Sequence, residues 1–116
     1  MKIKVGTDIV LIKRVQESID KFGNKFLERF LSKEEISLAK KVETIAGFWA
    51  AKEAIAKALE CGIGAEIGFK DIEIRKKNNN APYFLLKSKN FTIIDSSISI
   101  SHDGGFAIAV VVITLA

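Results

Sequence analysis

Thr44–Cys61, TIAGFWAAKEAIAKALEC, is the stretch whose reading decides the fold. It is rich in Ala, contains no Pro and runs into Gly62, a residue suited to the left-handed position past a helix end. The pattern predicts one long, largely apolar helix. Upstream of it, Lys2–Ile9 reads as a short strand. From Val10 to Phe22 the period changes, and Val15, Ile19, Phe22 and Phe26 fall at helical spacing with Gly23 interrupting. Ser32-Lys33-Glu34-Glu35 has the form of a capping box and predicts a short helix to about Lys41. Downstream, strands are expected at Phe69–Arg75, Tyr83–Leu86, Ile98–Ser101 and Phe106–Thr114, and Lys76–Asn80 is a polar turn before Pro82. Ser97–Ser101 alternates as a half-buried strand should. Helices precede strands, which predicts a single α+β domain over residues 1–116. Its sheet should be largely antiparallel, packed against the long helix with shorter helices beside it.

A chain of 116 residues supports one ordinary core and not two. With 48% hydrophobic and 28% charged residues it is not a disordered chain. The hydrophobic share is generous for so small a domain and hints that a partner subunit covers some apolar surface. Cys61 is the one cysteine, so no internal disulfide forms and a reducing compartment is expected. The N-terminus has no apolar stretch of signal-peptide length, and the longest apolar run, Phe106–Leu115, is about half a membrane span. A cytoplasmic protein with no membrane partner is expected. Lys and Arg outnumber Asp and Glu ten to six over residues 1–41 and balance them beyond, so the whole net charge of +4 lies in the first third. Such a patch either keeps the protein soluble or meets an acidic protein, a nucleic acid or a phosphate-bearing ligand.

Two acids stand out by placement. Asp8 ends an otherwise apolar strand, and Glu53 lies between Ala50-Ala51 and Ala54-Ile55 in the most apolar helix. A desolvated carboxylate costs several kcal/mol unless a cation balances it. Glu53 is explained either by a surface pair with Lys57, four residues on, or by a ligand role; Asp8 either caps the next helix or is a ligand. Two hard carboxylates with a lysine nearby would make a magnesium–phosphate site. Ser99–Gly105, SISHDGG, joins hydroxyls, the one imidazole and two glycines. That is either a structural turn or a place where a phosphate approaches backbone. One His and one Cys exclude a zinc site of the usual ligands. A Ser/His/Asp hydrolase lacks its Gly-x-Ser-x-Gly elbow here, and no Gly-rich nucleotide loop occurs.

Gly6-Thr7-Asp8-Ile9-Val10 resembles the opening motif of the holo-acyl carrier protein synthases, and Phe48–Leu59, FWAAKEAIAKAL, is similar to their central helix motif. Gly62-Ile63-Gly64, Phe69–Ile74, Ala81-Pro82 and Ser99–Asp103 continue the likeness in order and spacing over essentially the whole chain. The resemblance implies transfer of 4′-phosphopantetheine from coenzyme A to a serine of an apo-acyl carrier protein, in support of fatty acid biosynthesis. It implies Asp8 and Glu53 as Mg2+ ligands, Lys57 on the phosphates, and Ser101-His102 at the nucleotide's 3′-phosphate. It makes Glu53 and Lys57 catalytic and leaves the proton acceptor open between Glu53 and a metal-bound water. It also implies a homotrimer with sites shared between subunits and an acidic carrier protein as partner. Arg14 and Lys21 are seven residues apart and Lys25 follows four later, so they line one face for docking if the helix continues through Gly23, with Arg29 extending it.

Two departures stand out. Phe48 occupies a place where the family usually has Arg, so a cationic contact is missing or supplied elsewhere, and Asn80-Ala81 stands in a turn that commonly carries Gly. A nucleic-acid-binding module is the rival from another class. It lacks aromatic interleaving on a sheet and any recognised motif, so no nucleic-acid partner is expected. A magnesium-dependent pyrophosphohydrolase is the second rival, and it would release product without an acceptor protein.

Overall fold

The computed structural model describes all residues 1–116, and its order follows the sequence reading with shifted ends. Strand β1 (Lys2–Leu11) leads into helices α1 (Ile12–Phe22), α2 (Asn24–Phe30), α3 (Lys33–Leu38) and α4 (Val42–Ala58). Strands β2 (Ile72–Lys76), β3 (Pro82–Leu86), β4 (Ile93–Asp103) and β5 (Phe106–Leu115) follow. β1, β5 and β4 form an antiparallel three-stranded sheet in that order, and β2–β3 is a separate antiparallel hairpin. The expected strand at Phe69 begins instead with a short 3-10 turn over Phe69–Asp71, because Asp71 turns back to accept the Gly68 N–H before the chain extends.

α4 is buried nearly all round. Ile45, Ala46, Phe48, Ala50, Ala51, Ala54, Ile55 and Ala58 all belong to the core cluster, which also takes in Val111 and Ile113 of β5. Small residues let helix and sheet approach closely. A Cβ on Gly6 would overlap the Ala54 carbonyl oxygen, and one on Gly47 would stand 2.7 Å from the Ile100 side chain. α4 therefore crosses the sheet from β4 to β1. Its open seam carries Trp49 and Glu53, partly buried, and exposed Lys57, spaced one turn apart.

The register sorts the sheet into two faces. Asp8 and Val10 of β1 share the α4 face with Ala109 and Ala107 of β5 and with Ile100 and His102 of β4. Val5 and Ile9, together with Phe106, Ile108, Val110 and Val112, stand exposed on the other face. No helix is long and apolar enough to cross a membrane.

The capping box is present: the Ser32 hydroxyl accepts the Glu35 N–H and the Glu35 carboxylate accepts the Ser32 N–H. Its helix stops at Leu38, short of Lys41. Glu35 does more than cap. It is fully buried, pairs with Lys52 of α4 at 2.8 Å and accepts the Ile74 N–H of β2. Lys52 completes its three donations on the Phe30 and Phe69 carbonyls, at 2.6 and 3.0 Å. This single ion pair ties α2, α3, α4, the Phe69 turn and β2 together.

One expectation about the basic face is corrected. The helix does not continue through Gly23, whose φ of 61° is left-handed and whose N–H closes α1 on the Ile19 carbonyl. Arg14 and Lys21 lie on α1 and Lys25 and Arg29 on α2, so they do not form one continuous helical stripe.

Candidate active site

Asp8 reaches the α4 face because the strand alternates, which turns its neighbours Thr7 and Ile9 to the outer face. It caps no helix: the N-cap of α1 is Leu11, which makes no side-chain cap bond. Lys57 does not pair with Glu53 either. Its ammonium donates to Asp8 Oδ1 at 2.9 Å and to the Thr7 carbonyl at 3.3 Å. Both simple explanations offered by the sequence fail, and the three residues converge where the seam of α4 crosses β1.

Glu53 is half-buried and makes no hydrogen bond within the chain. Burial pushes its carboxyl above the ordinary value, the charge of Asp8 pushes it further, and Lys57 only partly offsets them. The Lys57 ammonium is held above its usual range, first by its hydrogen bond to Asp8. Two carboxylates near enough to repel, one of them without a partner, form an under-neutralised pair. That donor set fits magnesium, which takes one or two carboxylates and leaves its other positions to phosphate and water. No third His, Cys, Asp or Glu joins them.

The apolar pocket beside this pair is lined by Val10, Arg14, Val15, Ser18, Phe26 and Trp49 and encloses about 170 Å³. Val10 follows Asp8 on the same face, and Trp49 precedes Glu53 by one turn. A second cleft shares Phe26 with it and is lined also by Phe22, Lys25 and Arg29. Arg14, Lys25 and Arg29 thus ring apolar clefts next to the acids, while Lys21 sits 5.4 Å over the Phe22 ring. The docking cations expected from the sequence share this surface, although no single helix carries them.

His102 lies elsewhere. It lines a cleft of about 240 Å³ with Glu43, Thr44, Phe48, Lys76, Asn80, Pro82 and Ile100. Thr44 is nine residues before Glu53, roughly 13 Å along the helix, and no hydrogen bond or ion pair links His102 to the acid pair. Ser101, opposite Ile108, faces the outer side of the sheet, so one chain does not bring Ser101 and His102 onto the same face. Phe48 is buried against this cleft, and the lysine lining it is Lys76. Lys76 and Asn80 were hidden in the sequence because Lys76–Asn80 reads only as a polar turn. Asn80 takes a left-handed φ of 72°, which Asn tolerates better than most residues.

The model of the 4′-phosphopantetheinyl transferase superfamily matches residues 4–111. Holo-[acyl-carrier-protein] synthase of Sulfurovum sp. (strain NBC37-1) is 61% identical over 96% of both chains, and that of Nautilia profundicola is 54% identical over 94% of this chain and 97% of its own. Among solved structures, Helicobacter pylori holo-[acyl-carrier-protein] synthase in complex with coenzyme A superposes with a TM-score of 0.90 at 51% identity, covering 95% of this chain and 99% of that one. The Bacillus anthracis enzyme, in complex with coenzyme A (3′,5′-ADP), gives 0.82 at 38% identity over 95% and 94%. The family model, the fold and these likenesses agree, and the chain belongs to the holo-[acyl-carrier-protein] synthase family within the 4′-phosphopantetheinyl transferase superfamily.

Proposed function

We propose that this protein transfers 4′-phosphopantetheine from coenzyme A to a serine of an apo-acyl carrier protein, with Mg2+ held by Asp8 and Glu53. The observation that carries the reading is the convergence of Asp8, Glu53 and Lys57 on one open seam. The metal would neutralise the pyrophosphate of coenzyme A. Lys57, already at the acid pair, is placed to meet the same phosphates. The serine oxygen bonds to the β-phosphorus as the bond to the bridging oxygen breaks, and adenosine 3′,5′-bisphosphate leaves. Glu53, which spends no oxygen on a hydrogen bond within the chain, would also take the serine proton. Incubation with coenzyme A, magnesium and an apo carrier should raise the carrier's mass by one phosphopantetheine. Release of nucleotide without any change in the carrier would favour a pyrophosphohydrolase instead.

The carrier docks, in this reading, on the cations and apolar clefts of α1 and α2. Their positive charge suits an acidic partner, and Trp49 and Val10 lead from them to the acid pair. Arg14→Glu with Lys25→Glu should raise KM for the carrier about tenfold or more and leave KM for coenzyme A nearly unchanged. Added salt should weaken carrier binding in the unaltered protein. Equal effects on both substrates would remove docking from this face.

Our reading further assigns a homotrimer in the cytoplasm that serves fatty acid biosynthesis. The exposed apolar face of β1 and β5 supports a subunit interface. The distance of the His102 cleft from the acid pair supports a site completed by a neighbour, with His102 at its nucleotide. Asp8→Ala and His102→Ala proteins should each be weak or inactive. Unfolded together in equal amounts and refolded, they should recover activity at about a quarter of the sites, where an intact acid half meets an intact His half. Asp8→Ala mixed with Glu53→Ala should recover none. No recovery in the first mixture despite demonstrated exchange, or a monomer by sedimentation, would sink the shared site.

A further inference from the structure

Lys57 has a choice of two anionic partners on its own seam and a backbone carbonyl within reach. Glu53 lies four residues before it on α4, the spacing at which helical Glu–Lys pairs form. The ammonium nevertheless turns to β1, bonding Asp8 Oδ1 at 2.9 Å and the Thr7 carbonyl at 3.3 Å. Asp8 is the more enclosed end of the pair, its side chain 15% exposed against 52% for Lys57. Glu53 is left unpaired. A cation shared by Asp8 and Glu53 would approach the same Asp8 carboxylate that the ammonium already occupies.

We propose that Lys57 is a displaceable counter-ion: in the ligand-free protein its ammonium holds the cation position at Asp8, and it yields that position to the divalent metal only when a pyrophosphate draws it away. The inference rests on the metal-ligand reading of Asp8 and Glu53. A half-exposed lysine pair is weak and easily broken, whereas lysine to phosphate is a stronger, charge-assisted contact. With the ammonium at Asp8, an arriving dication meets a positive charge within a few ångströms; once Lys57 moves to phosphate, that repulsion becomes attraction for the ligand. Metal and coenzyme A must then bind with reciprocal positive coupling. Neither is held strongly alone. The exposed position of Lys57 lets its side chain swing without disturbing the core.

Mn2+ is a suitable probe, its free concentration read by electron paramagnetic resonance during titration of the whole protein, with and without coenzyme A. The unaltered protein should bind Mn2+ weakly alone and at least about tenfold more tightly with coenzyme A. Lys57→Met should bind Mn2+ alone about tenfold more tightly than the unaltered protein and gain less from coenzyme A. Circular dichroism and thermal melting check that the variant is folded, which its exposed site favours. Mn2+ affinity for Lys57→Met alone that is equal to or weaker than that of the unaltered protein overturns the displacement. Asp8→Asn separates this from failure of the metal reading. If Asp8→Asn loses Mn2+ but Lys57→Met does not gain it, only the displacement falls. If Asp8→Asn binds Mn2+ with coenzyme A as tightly as the unaltered protein, the ligand assignment itself falls and the displacement with it.

Discussion

Glu53→Gln should lower phosphopantetheine transfer on the order of 10³-fold or more, with no loss of thermal stability. The amide keeps the side chain's size but removes the charge. That charge is costly in the fold: burial first, and then the charge of Asp8, push the Glu53 carboxyl above its ordinary value, so the folded state disfavours its ionised form relative to the unfolded chain. Neutralising it therefore relieves the folded state, and only metal-dependent chemistry should suffer. Asp8→Ala should be equally inactive, although it also releases Lys57. Separation of activity from stability is what distinguishes a ligand from a packing residue. A Glu53→Gln protein that turns over at near the normal rate would exclude the metal-ligand role.

Lys52→Ala should destabilise the fold by about 3–5 kcal/mol, because it leaves Glu35 as an uncompensated buried charge. That is a large share of the stability of a domain of this size, roughly 5–15 kcal/mol. Both side chains are fully buried, and the two carbonyls that Lys52 serves, on Phe30 and Phe69, lose their donor as well. Glu35→Gln combined with Lys52→Met should cost clearly less than the two single changes added together, since neither charge is then left alone. Urea midpoints at one fixed protein concentration give the comparison, so that any assembly affects all variants alike. Additive losses would mean that the pair is no energetic unit. Lys52 precedes Glu53 on α4, so the same lock sets which side of the helix meets Asp8.

The sequence alone determined the elements whose cause is local. The long helix through Ala50, Ala54 and Ala58 follows from composition and the absence of Pro, and Ser32 with Glu35 announces the start of α3. The break at Gly23 was visible as an interruption, but whether the helix would bridge it was not, because that depends on the backbone turning left-handed there. Asp8 and Glu53 were legible as misfits, acids in apolar stretches, and the fold put them on one seam. What each one pairs with was not legible. Helical spacing pointed Lys57 at Glu53, while the crossing of α4 over Gly6 brought Asp8 closer.

Tertiary structure alone decided the rest, because those contacts join residues far apart in the chain. Glu35 looked like a cap and proved to be half of a buried ion pair, since Lys52 meets it only when α4 packs against α3 and the Phe69 turn. Lys76 and Asn80 joined His102 in one cleft only because the β2–β3 hairpin folds beside β4. Ser101 and His102, neighbours in sequence, were separated onto opposite faces by the period of two that every strand imposes. Local propensity sets where the chain bends. The packing of α4 across the sheet sets which distant charges meet.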